Sequence, residues 1–156
     1  MTPRMFYTLA RVLAALTVIP FHEAGHALAA WLVGDPTARQ QGRLSLNPFR
    51  HFDLLGTLCM VFAKPVSTDP RNFKNPKQGM ALTALAGPAA NLILAYLAMV
   101  VWKLLYYWAP VNDATIFLAL FLQYLVYLDV SLAVFNLIPV PPLDGSRVLL
   151  AVLPER

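Results

Sequence analysis

The chain has 156 residues, of which 58% are hydrophobic and only 13% charged, with a net charge of +4. A soluble domain carries about 25% charged residues; too little charge is present here to coat a core of this size, which excludes an ordinary soluble globule. Seven Gly, one Cys and the high apolar content likewise exclude collagen-like, disulfide-framework and disordered chains. With a mean hydropathy of +0.58, residues 1–156 read as one domain of an integral membrane protein. The lone Cys59 reads as a small buried hydrophobe.

Taken in order, the first apolar run covers about Met5 to Val33. It is too long for a signal-peptide core, although Arg4, Arg11 and the small residues Ala27, Ala29 and Ala30 resemble signal flanks. A polar stretch from Gly34 to Gly79 follows, holding Arg39, Arg43, Arg50, Lys64, Arg71, Lys74 and Lys77 among Pro and Asn. Within it, Leu54 to Ala63 is apolar but too short to span, and is expected to be re-entrant or interfacial. The second long run covers about Met80 to Trp108 and the third about Ala114 to Ile138. Each exceeds the ~20 residues a helix needs to cross a bilayer core. The expected fold is an all-α, polytopic bundle of about three spanning helices.

The basic stretch is expected to face the cytoplasm, and the uncharged turn before Asp113 the outside. Trp102, Tyr106, Tyr107 and Trp108 gather where an aromatic belt would lie at the outer interface. The positive charge therefore reads as a loop at the inner membrane surface. No nucleic-acid motif accompanies it, so nucleic acid is excluded as a partner.

Within the first run stands His22-Glu23-Ala24-Gly25-His26. On a helix, two His four residues apart project from one face and can hold one metal ion. Two imidazoles plus a carboxylate, with one position open, suit zinc. Glu23 falls beside them, placed to take a proton from a water at the metal. The bland alternative is that these groups pair with neighbours to hold the bundle together. Ionisable residues inside a spanning segment are costly, however, and usually mark function.

The best third ligand is Asp144 in Asn136-Leu137-Ile138-Pro139-Val140-Pro141-Pro142-Leu143-Asp144-Gly145. The prolines remove backbone donors and are expected to unwind the last helix, and such a break can aim a carboxylate at a neighbour. Read otherwise, Asp144-Gly145 is a surface turn. His51 and Asp53 are lower-ranked ligands because they lie in the basic stretch. Helical rise puts the His pair ~10–16 Å below the cytoplasmic surface, and carries the third helix ~33 Å toward the same side by Asn136.

In the second run Thr83, Gly87, Asn91 and Ala95 recur every four residues, making a small, weakly polar face suited to close helix approach. Packing accounts for the Gly and Ala. Asn91 is expected to orient substrate backbone or support the site, with a structural hydrogen bond as the alternative. Asn136, just before the break, is a candidate substrate or oxyanion donor. Asp129 is expected to be buried, with no assigned role.

Three motifs in this order, H-E-x-x-H, G-P-x-x-N (Gly87 to Asn91) and N-x-x-P-x-P-P-L-D-G (Asn136 to Gly145), resemble the site-2 proteases, zinc-dependent intramembrane metalloproteases. The stretch Gly42 to Pro48, with His51, Asp53, Gly56-Thr57 and Ala63 to Val66, is similar to the compact prokaryotic branch without a PDZ domain. The resemblance covers nearly the whole chain. It implies a multi-pass inner-membrane enzyme that cuts peptide bonds in or near transmembrane segments of membrane-protein substrates, in regulated intramembrane proteolysis. It also implies one zinc per chain, held by His22, His26 and Asp144, with Glu23 activating water.

The sequence departs from that pattern in three places. The apolar piece before Ala63 is short for the branch, Asp129 replaces a common Asn, and the chain stops at Leu153-Pro154-Glu155-Arg156 where relatives continue. It therefore reads as a truncated form or an unusually minimal member. The rival functions are a pseudoprotease that binds membrane clients without cutting them and a non-proteolytic metal-binding membrane protein such as a metal permease. Intact Glu23 argues against the first, and so few spans against the second.

Overall fold

In the computed structural model, residues 3–47 and 68–153 are described. Helix α1 covers Pro3–Leu32 and continues through the buried Pro20. It ends where Gly34 adopts a φ of +112°. That left-handed turn lets Asp35 N–H donate to Ala30 O at 2.8 Å and Gly34 N–H to Trp31 O at 3.2 Å, satisfying the last carbonyls. A four-residue helix, α2 (Thr37–Gln40), follows.

A 3-10 turn at Pro70–Asn72 leads into α3, Pro76–Trp108. Asn75 caps α3 by accepting from Gln78 N–H, and Pro76 takes the first position, where no amide hydrogen is needed. The helix thus begins in polar sequence, four residues before the expected Met80. Helix α4 covers Asp113–Asn136 behind an Asn112–Thr115 capping box. It stops two residues short of the expected Ile138, because a residue preceding proline, here Pro139, is sterically driven out of the helical region. After residues 137–143, which include a cis Pro141–Pro142 peptide bond, α5 (Asp144–Val152) begins. The expected break is therefore a true interruption between two helices.

No strand occurs among the described residues. Three helices, Arg4–Leu32, Pro76–Trp108 and Asp113–Asn136, are long and apolar enough to cross a membrane. The short apolar run at 54–63, the alternative ligands His51 and Asp53, and Cys59 lie outside the described residues. Helices α1, α3 and α4 pack on one another, and α5 lies on α3. Their shared core is Ala14, Val18, Ala98, Leu122 and Leu125, whereas leucines such as Leu92, Leu97 and Leu104 face outward.

Helical rise sets the depth of the last two elements. From Trp108 down to Gly87, α3 descends about 32 Å, and α4 descends about 35 Å over its own length. The break therefore falls near the depth of Gly87. From there α5 runs on toward the loop end of α3, where Lys77 Nζ donates to Leu153 O at 3.4 Å.

Candidate metal centre

His22 and His26 stand one turn apart on α1, with their rings nearly perpendicular (89°) and centroids 4.6 Å apart. Asp144, the first residue of α5, completes the group. Its Oδ2 lies 3.3 Å from His22 Nε2 and 3.1 Å from His26 Nε2, and the two nitrogens are 3.0 Å apart. All three residues are buried. An ion bonded at 2.0–2.1 Å in tetrahedral geometry needs ligand atoms about 3.3 Å apart. The triangle is close to one face of that tetrahedron, and its two-imidazole, one-carboxylate donor set suits zinc.

The His orientation has identifiable causes. His26 Nδ1–H donates to Thr83 O at 2.7 Å, which leaves the Nε2 lone pair for the metal. Gly87 lies directly against both rings: a Cβ there would overlap His26 Nε2 and Cε1 and come within 2.8 Å of His22 Cε1. At Gly25 a Cβ would meet Ala86 O and Ala90 Cβ, each at 2.7 Å, so α1 and α3 approach closely beside the site.

Asp144 is placed by the break. Gly145 packs so tightly on Leu137 and Ile138 carbonyls that any side chain there would collide with them. Ser146 Oγ–H donates to Leu143 O at 2.7 Å and fixes the first turn of α5. That helix start also favours a carboxylate through its dipole.

Of the other sequence candidates, Glu23 is half-buried, and its Oε2 is buried without a hydrogen-bond partner. Asn136 Nδ2–H donates to Leu132 O at 2.9 Å, within its own helix. Asn91 has no accessible surface, and neither of its amide atoms has a hydrogen-bond partner. Asp129 is equally buried and unpartnered. Sequence reasoning missed the part played by two glycines. The four-residue stripe marks Gly87 only for helix packing, and Asp144-Gly145 reads only as turn chemistry, whereas both glycines make room for the site. Nothing in the sequence marked the Thr83 carbonyl.

Comparison with known proteins agrees with this chemistry. The family model described as peptidase family M50 matches residues 109–156. "Putative zinc metalloprotease YwhC" of Bacillus subtilis is 35% identical over 150 residues, covering 92% of this chain and 68% of that protein. "Putative zinc metalloprotease Rip2" of Mycolicibacterium smegmatis is 33% identical over 141 residues, covering 82% of this chain and 51% of its own length. The protein of that name from Mycobacterium tuberculosis is 30% identical over 146 residues, covering 86% and 53%. The chain thus spans about half the length of the mycobacterial relatives. No solved structure matches it.

Proposed function

This chain belongs to peptidase family M50, the site-2 proteases, and we propose that it is a zinc-dependent endopeptidase of the H-E-x-x-H type. It acts within the membrane on transmembrane segments of protein substrates, as in regulated intramembrane proteolysis. The observation that carries this reading is the buried triangle of His22 Nε2, His26 Nε2 and Asp144 Oδ2, with sides of 3.0 to 3.3 Å, inside a spanning bundle.

The three ligands would hold one zinc per chain. Zinc supplies a Lewis acid that polarises the scissile carbonyl and eases loss of a proton from water. Glu23 takes that proton as the water attacks and returns it to the leaving nitrogen as the C–N bond breaks. His26 is held in the ligating tautomer by Thr83 O. Asn136, at the end of α4, donates to substrate carbonyl oxygen once its amide leaves Leu132 O. Low accessibility limits water at the site, which strengthens each of these interactions.

The inner end of the bundle, carrying the basic loop, faces the cytoplasm of a cell whose inner membrane holds the protein. The test is cleavage of a single-span substrate by the purified chain in proteoliposomes, with the products located by mass spectrometry. Cuts within or beside the span that vanish in Asp144→Ala are expected. Intact substrate with a fully zinc-loaded wild type would make the chain a metal-binding membrane protein without protease activity.

A further inference from the structure

His22 has a donor with no acceptor. Its Nε2 is a corner of the triangle, so as a neutral ligand it carries its proton on Nδ1. That nitrogen is buried and has no hydrogen-bond partner, whereas His26 Nδ1 bonds to Thr83 O. An unsatisfied buried donor is costly, and more so in a bundle surrounded by lipid. A ligating His almost always gives its second proton to a carbonyl or carboxylate, which fixes the ring and raises its basicity.

Two residues deep in the same bundle are orphaned in a complementary way. Asn91 and Asp129 are both 0% exposed, and both polar atoms of each lack a partner. Zero exposure leaves no space for a bridging water beside either one. In the arrangement seen here no protein group meets them either, so any partner has to come from a neighbouring side chain that turns toward them.

The packing puts these orphans in one layer. Val18 of α1, Leu125 of α4 and Ala98 of α3 share an apolar cluster, with Leu94 packed on it. Moving toward the loop end, His22 follows Val18 by one turn, Asp129 follows Leu125 by one turn, and Asn91 lies three residues from Leu94. Gly87, one turn beyond Asn91 on the same helix face, touches both His rings. The donor and acceptor inventory then closes: an imidazole N–H, an amide offering one acceptor and two donors, and a carboxyl group.

We propose that Asn91 and Asp129 are positioning residues for the metal centre: from the arrangement seen here, in which none of these atoms is bonded, a turn of the Asn91 and Asp129 side chains lets His22 Nδ1–H donate to Asn91 Oδ1 and Asn91 Nδ2–H donate to Asp129. The inference rests on the reading of His22 as a zinc ligand and adds what holds its ring. In this arrangement α1, α3 and α4 are tied together through one imidazole, so the ligand is fixed by both helices it packs against.

The test is zinc retention by the purified full chain in detergent against graded concentrations of a chelator. It compares wild type with Asn91→Leu, Asp129→Leu, the double variant and Asp129→Asn. Asn91→Leu should weaken zinc binding by roughly 10- to 100-fold, the usual effect of removing such a partner. Asp129→Leu should weaken it less, and Asp129→Asn, which still offers a carbonyl oxygen, should retain nearly wild-type binding. The double variant should match Asn91→Leu alone, because both act through one bond to His22. Leucine is compatible with a lipid-embedded interior, and helix content measured in parallel identifies any variant that fails to fold. Should Asn91→Leu be such a variant, the comparison of Asp129→Leu with Asp129→Asn decides: equal zinc affinity overturns the proposal. Wild-type zinc affinity in folded Asn91→Leu, or additive losses in the double variant, overturns it as well. Those results leave the metal centre intact, whereas a wild type that binds no zinc overturns both.

Discussion

Gly87 shows how one missing methyl group shapes the site. The two imidazoles occupy the space where a Cβ would stand, so Gly87→Ala has to push them off the triangle or push α3 away from α1. Overpacking of this kind costs about 1–3 kcal/mol. The bundle should survive that, but ligand geometry should not. Gly87→Ala is expected to insert normally and keep its helix content while losing most of its zinc, measured by metal analysis of the purified variant. Full zinc occupancy would mean that the rings are not held against this helix.

Asp35 is a second residue whose importance only the structure reveals. Fully buried at the end of α1, it accepts from Thr37 N–H, Thr37 Oγ1–H, Asn72 Nδ2–H and Asp69 N–H, drawing the loop back onto the helix. Burial pushes its carboxyl up, but the bonds from Thr37, Asn72 and Asp69 outweigh burial and hold the pKa below the ordinary value of 3.8. The folded state therefore binds this proton less tightly than the unfolded chain. The stabilisation is complete above that ordinary value and is lost as pH falls through the lower, folded one. Hydrogen exchange at Thr37 and Asp69 amides should be steadily protected from neutral pH down to about 4 and weaken only below. In Asp35→Ala protection should already be lost at neutral pH, the orphaned donors costing about 1–3 kcal/mol each.

Among the elements, the interruption between α4 and α5 does the most to build the site. Pro139 ends one helix, and Gly145 lets the next start against the carbonyls of Leu137 and Ile138. Asp144 then lies at the depth of the His pair. Gly145→Val should displace the start of α5 and lower zinc affinity, with membrane insertion unchanged; unchanged affinity would show that Asp144 does not depend on this contact.

The break itself was legible, since three prolines in four positions cannot continue a helix. So were the three spans and the His pair, which follow from length, hydropathy and a four-residue spacing. The boundaries were less legible, because Asn75 and Pro76 start α3 by capping chemistry rather than hydropathy. The glycine contacts and the Asp35 clamp were not legible at all. They join residues far apart in the chain, such as Asp35 with Asn72 and Gly145 with Leu137, and local pattern carries no record of such contacts.

At the scale of the whole molecule, most basic residues lie at the loop end of the bundle, and an aromatic cluster lies at the other end together with Arg4, Arg11 and Lys103. Trp102 and Tyr106 stack at 5.8 Å near the far end of α3, and Tyr107 and Trp108 are 67% and 84% exposed beside them. Arg11, a charge within α1, lies over the ring of Tyr124 at 5.2 Å, a cation–π contact that shields it. At the other end Arg39 stacks on Trp31 at 4.4 Å, and Lys74 is exposed in the loop. This asymmetry predicts a cytoplasmic loop. In a background lacking Cys59, a Lys74→Cys variant should react with an impermeant thiol reagent only after the membrane is made permeable. Labelling in intact cells would turn the bundle over.

The proposed protease depends on two roles, a metal held by His22, His26 and Asp144 and a proton carried by Glu23. Glu23→Gln separates the two roles, because glutamine keeps the size of the side chain but cannot take the proton. The decisive measurement is zinc stoichiometry and turnover of a transmembrane substrate on the same purified protein, wild type beside Glu23→Gln. The proposed mechanism requires one zinc per chain in both, with turnover reduced by roughly 10²–10⁴-fold in the variant. Retained turnover, or zinc lost with Glu23, would contradict it.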